Sequence, residues 1–573
     1  MAFLSSGEVA YRVDIMVNEP AIALTKPRGS STPGAQKKIK EQVANELVFA
    51  VVGHVGSGTT TVAKKLKEVL SASSLPGGPY DVTLLKARRE IVEWALSNGH
   101  EINEPTTAEL IFSERLQDLG DAMRKQDLAE VARRLILSIR KARAGKQNAA
   151  VDDGPVKPDG KRRAYILDAI RHPAEAHLLR SVYRNAFALI GVVCEEDVRK
   201  DRLLNDKYSD SGRTSVEKFM ERDAKAKEKY GQRVSDAFHL ADYFLDNSES
   251  RIQKDGRNSN EDWDIPRQLM RLVEIVTHAE VVRPEVHEMA MNVAYGAQMR
   301  SACLSRQVGA ALVDKKGSVV STGANEVPRG GGGVYGQEMA TPGAREQDHR
   351  CAYRKLGEQV PYCSNTREQN EIIDELLRDV PQFRELVGES RESLKGILRK
   401  SRIGGLIEFS RAVHAEMDAL LGAARQGVSP VGGRLYVTTF PCHYCARHIV
   451  AAGIDEVQYI EPYPKSRALA LHDDSITMRS EGWVSPSSVL ELEQNQKSAN
   501  SEPIERKVLF RPFTGVAPRM YARAFLKDRE LKSELTGELQ FGEPDWESAW
   551  DIQKGSYAEL EAALIGGGED AHG

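Results

Sequence analysis

The residues best suited to chemistry are His414-Ala415-Glu416 and, downstream, Pro441-Cys442-His443-Tyr444-Cys445. His414, Cys442 and Cys445 offer one imidazole and two thiolates, three ligands that leave the fourth tetrahedral position of zinc open. An open position separates a catalytic site from a closed structural one. Zinc lowers the pKa of a bound water from about 15.7 to about 7. Glu416, two residues past the imidazole, is placed to take a proton from that water and return it to a substrate nitrogen and a leaving amine. Cys442 and Cys445 in the first turn of a helix would point both sulfurs one way, and the helix dipole would favour thiolate. A chance CxxC beside a core histidine explains neither the carboxylate nor the proline.

These residues need a frame. AVHAEMDALLGAARQG reads as a helix, RLYVTT as a strand, CHYCARHIVAAG as a helix and VQYIE as a strand. Ahead of them PEVHEMAMNVAYGAQMRSACLS reads as one long helix, and AALVD-KKG-SVVSTG as a hairpin turning at Gly317. An insertion runs from about 326 to 410, opening with RGGGG. In the first half, ELVFAVVG is a strand leading into GHVGSGTT and the helical TVAKKLKEVL, with further buried strands at 164–170, 187–194 and 243–247. Strands alternating with helices imply an α/β, doubly wound parallel sheet. The segments are therefore a flexible arm over 1–45, a first domain over 46–250, a linker over 251–265, a second domain over 266–555 and a C-terminal tail over 556–573.

H-x-E followed by P-C-x-x-C is the signature of zinc deaminases, which attack the amidine carbon of cytosine or adenine. Residues 284–465 resemble the deoxycytidylate deaminase branch of the cytidine deaminase-like superfamily, an α/β/α fold. The likeness extends to SRQVGAALV (305–313) and STGANEVPRG (321–330). It implies that Asn325 contacts the sugar, that Arg306 or Gln307 lies near the phosphate, and that Tyr463 borders or stacks on the base. Asn325 also reads as a simple hairpin-exit residue. Cys303, His349, Cys351 and Cys363 read equally as a second, structural zinc site pinning the insertion or as small buried apolar residues. Deaminases of polynucleotides want a basic, aromatic-lined groove. A chain with 79 Lys+Arg against 83 Asp+Glu gives no overall support for one, and NEVPRG favours a free nucleotide.

GHVGSGTT (53–60) nearly fits the phosphate-binding loop G-x-x-x-x-G-K-[ST] between a strand and a helix. Gly53, Gly56, Ser57 and Gly58 would cradle a phosphate at the helix N-terminus, and Thr60 stands where a hydroxyl meets Mg2+. Thr59 replaces the lysine that reaches the β- and γ-phosphates, which argues against phosphoryl transfer. YILDAIRHPAEA resembles the acidic strand of nucleotide and nucleoside kinases, with Asp168 and Arg171 as site residues. The readings are a P-loop kinase-like domain that senses a nucleotide with Mg2+, an inert scaffold, and, third, an active kinase.

A degenerate P-loop domain ahead of a deaminase domain resembles the bacterial anti-phage deoxycytidine nucleotide deaminases. The resemblance implies conversion of dCTP or dCMP to the uracil nucleotide, depletion of a pool that phage need, and gating by the P-loop domain. It also implies a homo-oligomer and, from some relatives, a regulatory small RNA. The alternatives are a polynucleotide deaminase and a sensor or toxin scaffold with a silent deaminase site. The 573-residue chain is 41% hydrophobic and 28% charged, in the ordinary globular range. Six cysteines are too few for a disulfide scaffold. Without an apolar run of about 18 residues or a signal-peptide pattern, no membrane partner and a cytoplasmic location are expected.

Overall fold

All seven residues of ELVFAVV are buried, as a strand covered on both faces requires. The computed structural model describes residues 45–564 apart from 73–76, 104, 106–108, 151–153, 249–263, 337–361, 386–387, 464, 481, 496–504, 528–531 and 539–555. The described residues fall in one compact unit, Val43–Gly573; the arm and nearly all of the linker lie outside them. The strands of the first half are β1 (Glu46–Val52), β2 (Asp81–Lys86), β3 (Arg163–Ile170), β4 (Phe187–Val193) and β5 (Tyr243–Asp246). Those of the second half are β6 (Gly309–Val313), β7 (Val319–Ala324), β8 (Arg434–Thr439), β9 (Glu456–Glu461), β10 (Ile476–Thr477), β11 (Val508–Pro512) and β12 (Gly515–Val516).

The first sheet has the order β12-β5-β4-β1-β3-β2. Its five first-half strands run parallel, and β12 joins antiparallel to β5. The order reverses at β1, whose C-terminal end is therefore the crevice where doubly wound sheets bind ligands. β2 escapes the sequence reading because this edge strand is only half-buried and its polar residues give no buried apolar run. Helix α1 (Thr59–Leu70) follows β1. Helix α2 (Glu130–Gln147) covers the sheet, α3 (Glu196–Asp201) follows β4, and α4 (Ile265–Thr277) packs on α1.

The second sheet has the order β10-β11-β9-β8-β6-β7, with β6 antiparallel to both neighbours and the remaining pairs parallel. Helix α5 (Val286–Gln298) packs on β6 and β8. It ends at Gln298, whereas the sequence reading carried it into the 301–305 stretch. β6 lies against α5 so closely that a Cβ on Gly309 would strike the Ala294 carbonyl oxygen; the chain must reverse between them and spends 299–308 doing so. The insertion supplies α6 (Ser364–Asp379) and α7 (Glu389–Lys400), tied by Lys395 and Asp374 at 2.8 Å. The site helices are α8 (Ala415–Arg425) and α9 (His443–Ala451).

The far C-terminal part returns to the first sheet. Besides β12, it supplies α10 (Pro518–Phe525) and α11 (Ser556–Ala563). The segment read as a tail thus contains a docked helix. Glu561 on α11 is fully buried, 2.6 Å from Arg143 on α2, which also meets Glu46 of β1 at 2.8 Å. Tyr183 and Tyr557 donate to Glu561 and Glu46 at 2.7 and 2.9 Å. Buried charges are tolerated when paired and hydrogen-bonded in this way. Glu288 on α5 accepts from Val516 N at 2.8 Å and pairs with Arg271 on α4 at 2.6 Å, knitting the two halves together.

α8 lies on β7 at closest approach over Gly323, where a Cβ would strike the Ala415 carbonyl oxygen and lie 2.5 Å from Ala419 N. Gly323→Ala should therefore push away the helix that begins at the imidazole. We expect about 1–3 kcal/mol of destabilisation in a chemical denaturation curve; an unchanged midpoint would show that the helix has room.

Candidate active site

His414 and Cys442 occupy matching positions: each is the N-cap of a helix, α8 and α9, with extended backbone angles. An N-cap side chain commonly turns back onto its own helix. The His414 ring makes no such bond and instead faces the cysteines. Its Nδ1 lies 3.3 Å from Cys442 Sγ and 3.3 Å from Cys445 Sγ, and the three donor atoms all fall within 4.8 Å of one another. Ligands held tetrahedrally at zinc's usual bond lengths are about 3.6 Å apart for nitrogen and sulfur, so the set fits the ion. Hydrogen bonds from Cys445 and His414 outweigh burial and pull the Cys442 thiol down to about 4, while burial pushes the Cys445 thiol up.

Glu416, in the first turn of α8, is almost wholly buried, and desolvation raises its carboxyl to about 7. For His414, burial lowers the pKa but is outweighed by the Cys442 hydrogen bond and the Glu416 charge, leaving it raised to about 9. His414, Glu416 and Cys442 open onto a cavity of about 470 Å³, within the range of small-molecule sites. Cys445 lies behind them in the core.

Asn325, Arg306 and Tyr463 also line this cavity. The Asn325 amide accepts from Val308 N at 2.7 Å and donates to the Arg306 carbonyl at 2.7 Å. It therefore staples the 306–308 loop, keeping one N–H and one lone pair for a ligand. Arg306 pairs with Glu461 at 3.3 Å and lies over the Tyr463 ring at 5.9 Å. Gln307 is turned away, donating to the Ser301 carbonyl at 2.6 Å, and is not on the cavity wall. Cys303 and Cys363 line the same cavity as His414, while His349 and Cys351 lie outside the described residues. Among the described residues the His414 trio is the one grouping fit for a metal.

Sequence reasoning missed several contributors. Glu326 is buried; it accepts from Ala302 N at 2.7 Å and from Val327 N at 2.9 Å, and its carbonyl accepts from Val413 N at 3.0 Å. It so fixes both the 301–308 loop and the entry to His414. Glu461 accepts from Thr439 Oγ1 at 3.3 Å as well as pairing with Arg306. Arg399 and Lys465, from the insertion and the exit of β9, complete the wall. The Asn-Glu dipeptide was the available signal for Glu326; nothing local marks the other three.

At the C-terminal end of β1, Gly56 and Gly58 have φ of 85° and 86°, left-handed values that favour glycine. Gly58 also abuts the Asn247 side chain. Ser57 is tucked beneath Gly53, and Thr59 is buried. Thr60 Oγ1 donates to Asp168 at 2.8 Å. Arg171 reaches the Gly53 carbonyl at 3.1 Å and Asp223 at 2.7 Å, and Asp223 accepts from Val55 N at 2.7 Å. Arg202 donates to the Gly56 carbonyl at 3.3 Å. The loop geometry and the hydroxyl–carboxylate pair fit phosphate with a divalent cation, but the lysine is missing and one loop N–H is already taken by a carboxylate.

Residues 284–461 match the family described as the cytidine and deoxycytidylate deaminase zinc-binding region. Deoxycytidylate deaminase of Enterobacteria phage T4 is 29% identical over 185 residues, covering 31% of this chain and 78% of its own length. ComE operon protein 2 of Bacillus subtilis (strain 168) is 44% identical over 54 residues, 9% of this chain and 29% of its own. Among solved structures, dCMP deaminase of cyanophage S-TIM5 in complex with dCMP and dUMP is 20% identical, covering 34% of this chain and 93% of its own, with a TM-score of 0.20. The matched region and its site make this protein a zinc-binding deaminase, a hydrolase.

Removing one thiolate leaves two ligands, too few to hold zinc firmly. By elemental analysis the parent should purify with roughly one zinc per chain and Cys445→Ser with far less. Equal zinc in both would place the metal elsewhere.

Proposed function

We propose that this protein deaminates deoxycytidine nucleotides, dCTP or dCMP, to the corresponding uracil nucleotide and ammonia. The drain on the deoxycytidine nucleotide pool would serve defence against phage. The observation that carries the chemistry is the buried Glu416 carboxyl, raised to about 7 and opening with His414 and Cys442 onto one cavity. A carboxyl of that pKa can both accept and release a proton near neutrality.

Zinc held by His414, Cys442 and Cys445 would supply Lewis acidity to a water. Glu416 takes a proton from the water as its oxygen bonds to C4 of the base, and delivers it to N3. A second proton moves through Glu416 to the exocyclic nitrogen, the C4–N4 bond breaks, and ammonia leaves. Water is consumed and no net proton is lost. Phe440 and Tyr463 offer aromatic walls to the base, and the remaining amide N–H of Asn325 a donor to the sugar. Insertion residues 363–369, Arg399 and 404–412 make up much of the lining, which supports a free nucleotide over a running polynucleotide strand.

Control by the first half is part of this reading. Glu195 and Asp197, around the start of α3, hold Ser480 at 2.9 Å and Arg479 at 2.8 Å in the loop after β10. Arg199 and Arg202, just beyond, reach the carbonyls of the P-loop. A phosphate ligand at Gly53–Thr60, with Mg2+ at Thr60 and Asp168, would press on this link, in a sensing role that needs no lysine.

Glu416→Gln tests the chemistry. It should keep zinc while ammonia release from dCTP and dCMP falls by about 10²–10⁴-fold. Retained turnover would remove Glu416 from the reaction, and a wild-type protein active only on single-stranded DNA would favour the polynucleotide reading.

A further inference from the structure

Three cations line the deaminase cavity: Arg306, Arg399 and Lys465. Arg306 already has its counter-charge in Glu461 at 3.3 Å. Among the described residues the other two hydrogen-bond only to neutral groups. Arg399, in the last turn of α7, donates to the Asn370 side chain. Lys465 donates to the Gly404 carbonyl at 3.3 Å. Neither makes an ion pair among the described residues. The two are also neighbours, because Gly404 packs against the backbone of Arg399 closely enough that a Cβ there would strike the Arg399 carbonyl oxygen. Lys465 therefore reaches, from the exit of β9, the very turn that follows α7.

Both side chains are exposed, in contrast to Glu416 on the cavity floor. The cavity thus runs from a buried floor to a rim that carries two positive side chains, neither of them ion-paired among the described residues. The first turn of α6, Ser364, Asn365 and Thr366, lines the same cavity and contains no acidic residue. An amphiphilic ligand with a neutral ring and an anionic chain would enter ring first.

We propose that Arg399 and Lys465 form a rim subsite for the phosphate chain of the nucleotide, so that the insertion, through α7, selects phosphorylated substrate over nucleoside. This assignment rests on the deaminase reading for its substrate but has its own readout. Charge-assisted contacts of this kind are each worth about a factor of ten, less at high salt because the rim is exposed.

The test is the double variant Arg399→Gln/Lys465→Gln, with its zinc content and melting midpoint checked against wild type. Calorimetric binding of inorganic tripolyphosphate should weaken about tenfold or more. The ratio of kcat/KM for dCTP to that for deoxycytidine should fall by a similar factor, with most of the change in KM. Arg399→Lys, which keeps the charge, should recover most of the loss. Unchanged tripolyphosphate affinity, or an unchanged dCTP-to-deoxycytidine ratio, would overturn the subsite while leaving the deaminase reading standing. Tripolyphosphate binding lost in the double variant, alongside a wild type that deaminates neither substrate, would uphold the subsite and overturn that reading instead.

Discussion

Two helix N-termini point at one place, and the rest of the second half is built to permit it. The starts of α8 and α9 each present unpaired N–H groups and a partial positive charge, and such ends repel unless something anionic lies between them. Here the anion is the Cys442 sulfur, the N-cap of α9, with the Cys445 sulfur beside it in the first turn. The same field that favours thiolate at Cys442 favours negative charge on an attacking oxygen. Glu416 is the exception: it sits in the first turn of α8, yet desolvation outweighs the His414 charge and raises its carboxyl.

The first half has a comparable helix start at its glycine-rich turn. Gly56 and Gly58 turn the chain so that α1 begins uncapped by any side chain, with no acidic residue in its first turn. What its first turn, Thr59-Thr60-Thr61, lacks is a positive side chain; the lysines of α1 begin at Lys64. Arginines from α3 and the segment after it embrace the loop from outside, and they grip carbonyls rather than the N–H groups. The loop is thereby a glycine turn braced by its surroundings. α3 also carries Asp197, paired with Arg479 in the loop after β10, the edge strand of the second sheet.

The parts of this structure that were legible in the sequence are those written in local order. His414, Glu416, Cys442 and Cys445 sit at helix starts whose period is visible in a dozen residues, and the glycines of 53–58 announce their turn. β1, β3 and β4 show as apolar runs because both faces are covered. β2 gave no such signal because it is a half-buried edge strand. β12 is two residues long and belongs to a sheet whose other strands lie far earlier in the chain. Arg399 and Lys465 meet through a glycine turn and a strand exit, so no window of sequence contains them both. Asn325 was legible as a site residue, but its bonds to the 306–308 backbone follow only from the fold.

The division into two domains is similarly a matter of sequence order more than of packing. Val516, Met520 and Tyr557 belong to the same core as Leu47, Ala63 and Leu269, and so do Ala290 and Ala311 from beneath the second sheet. Arg143 gathers Glu46 from the first described strand and Glu561 from the last described helix into one buried cluster. A chain whose late segments complete its early sheet cannot be cut near residue 265 without exposing β5 as an edge and stripping the apolar cover from α4 and α5. The first sheet and one face of the second therefore rest on one apolar core.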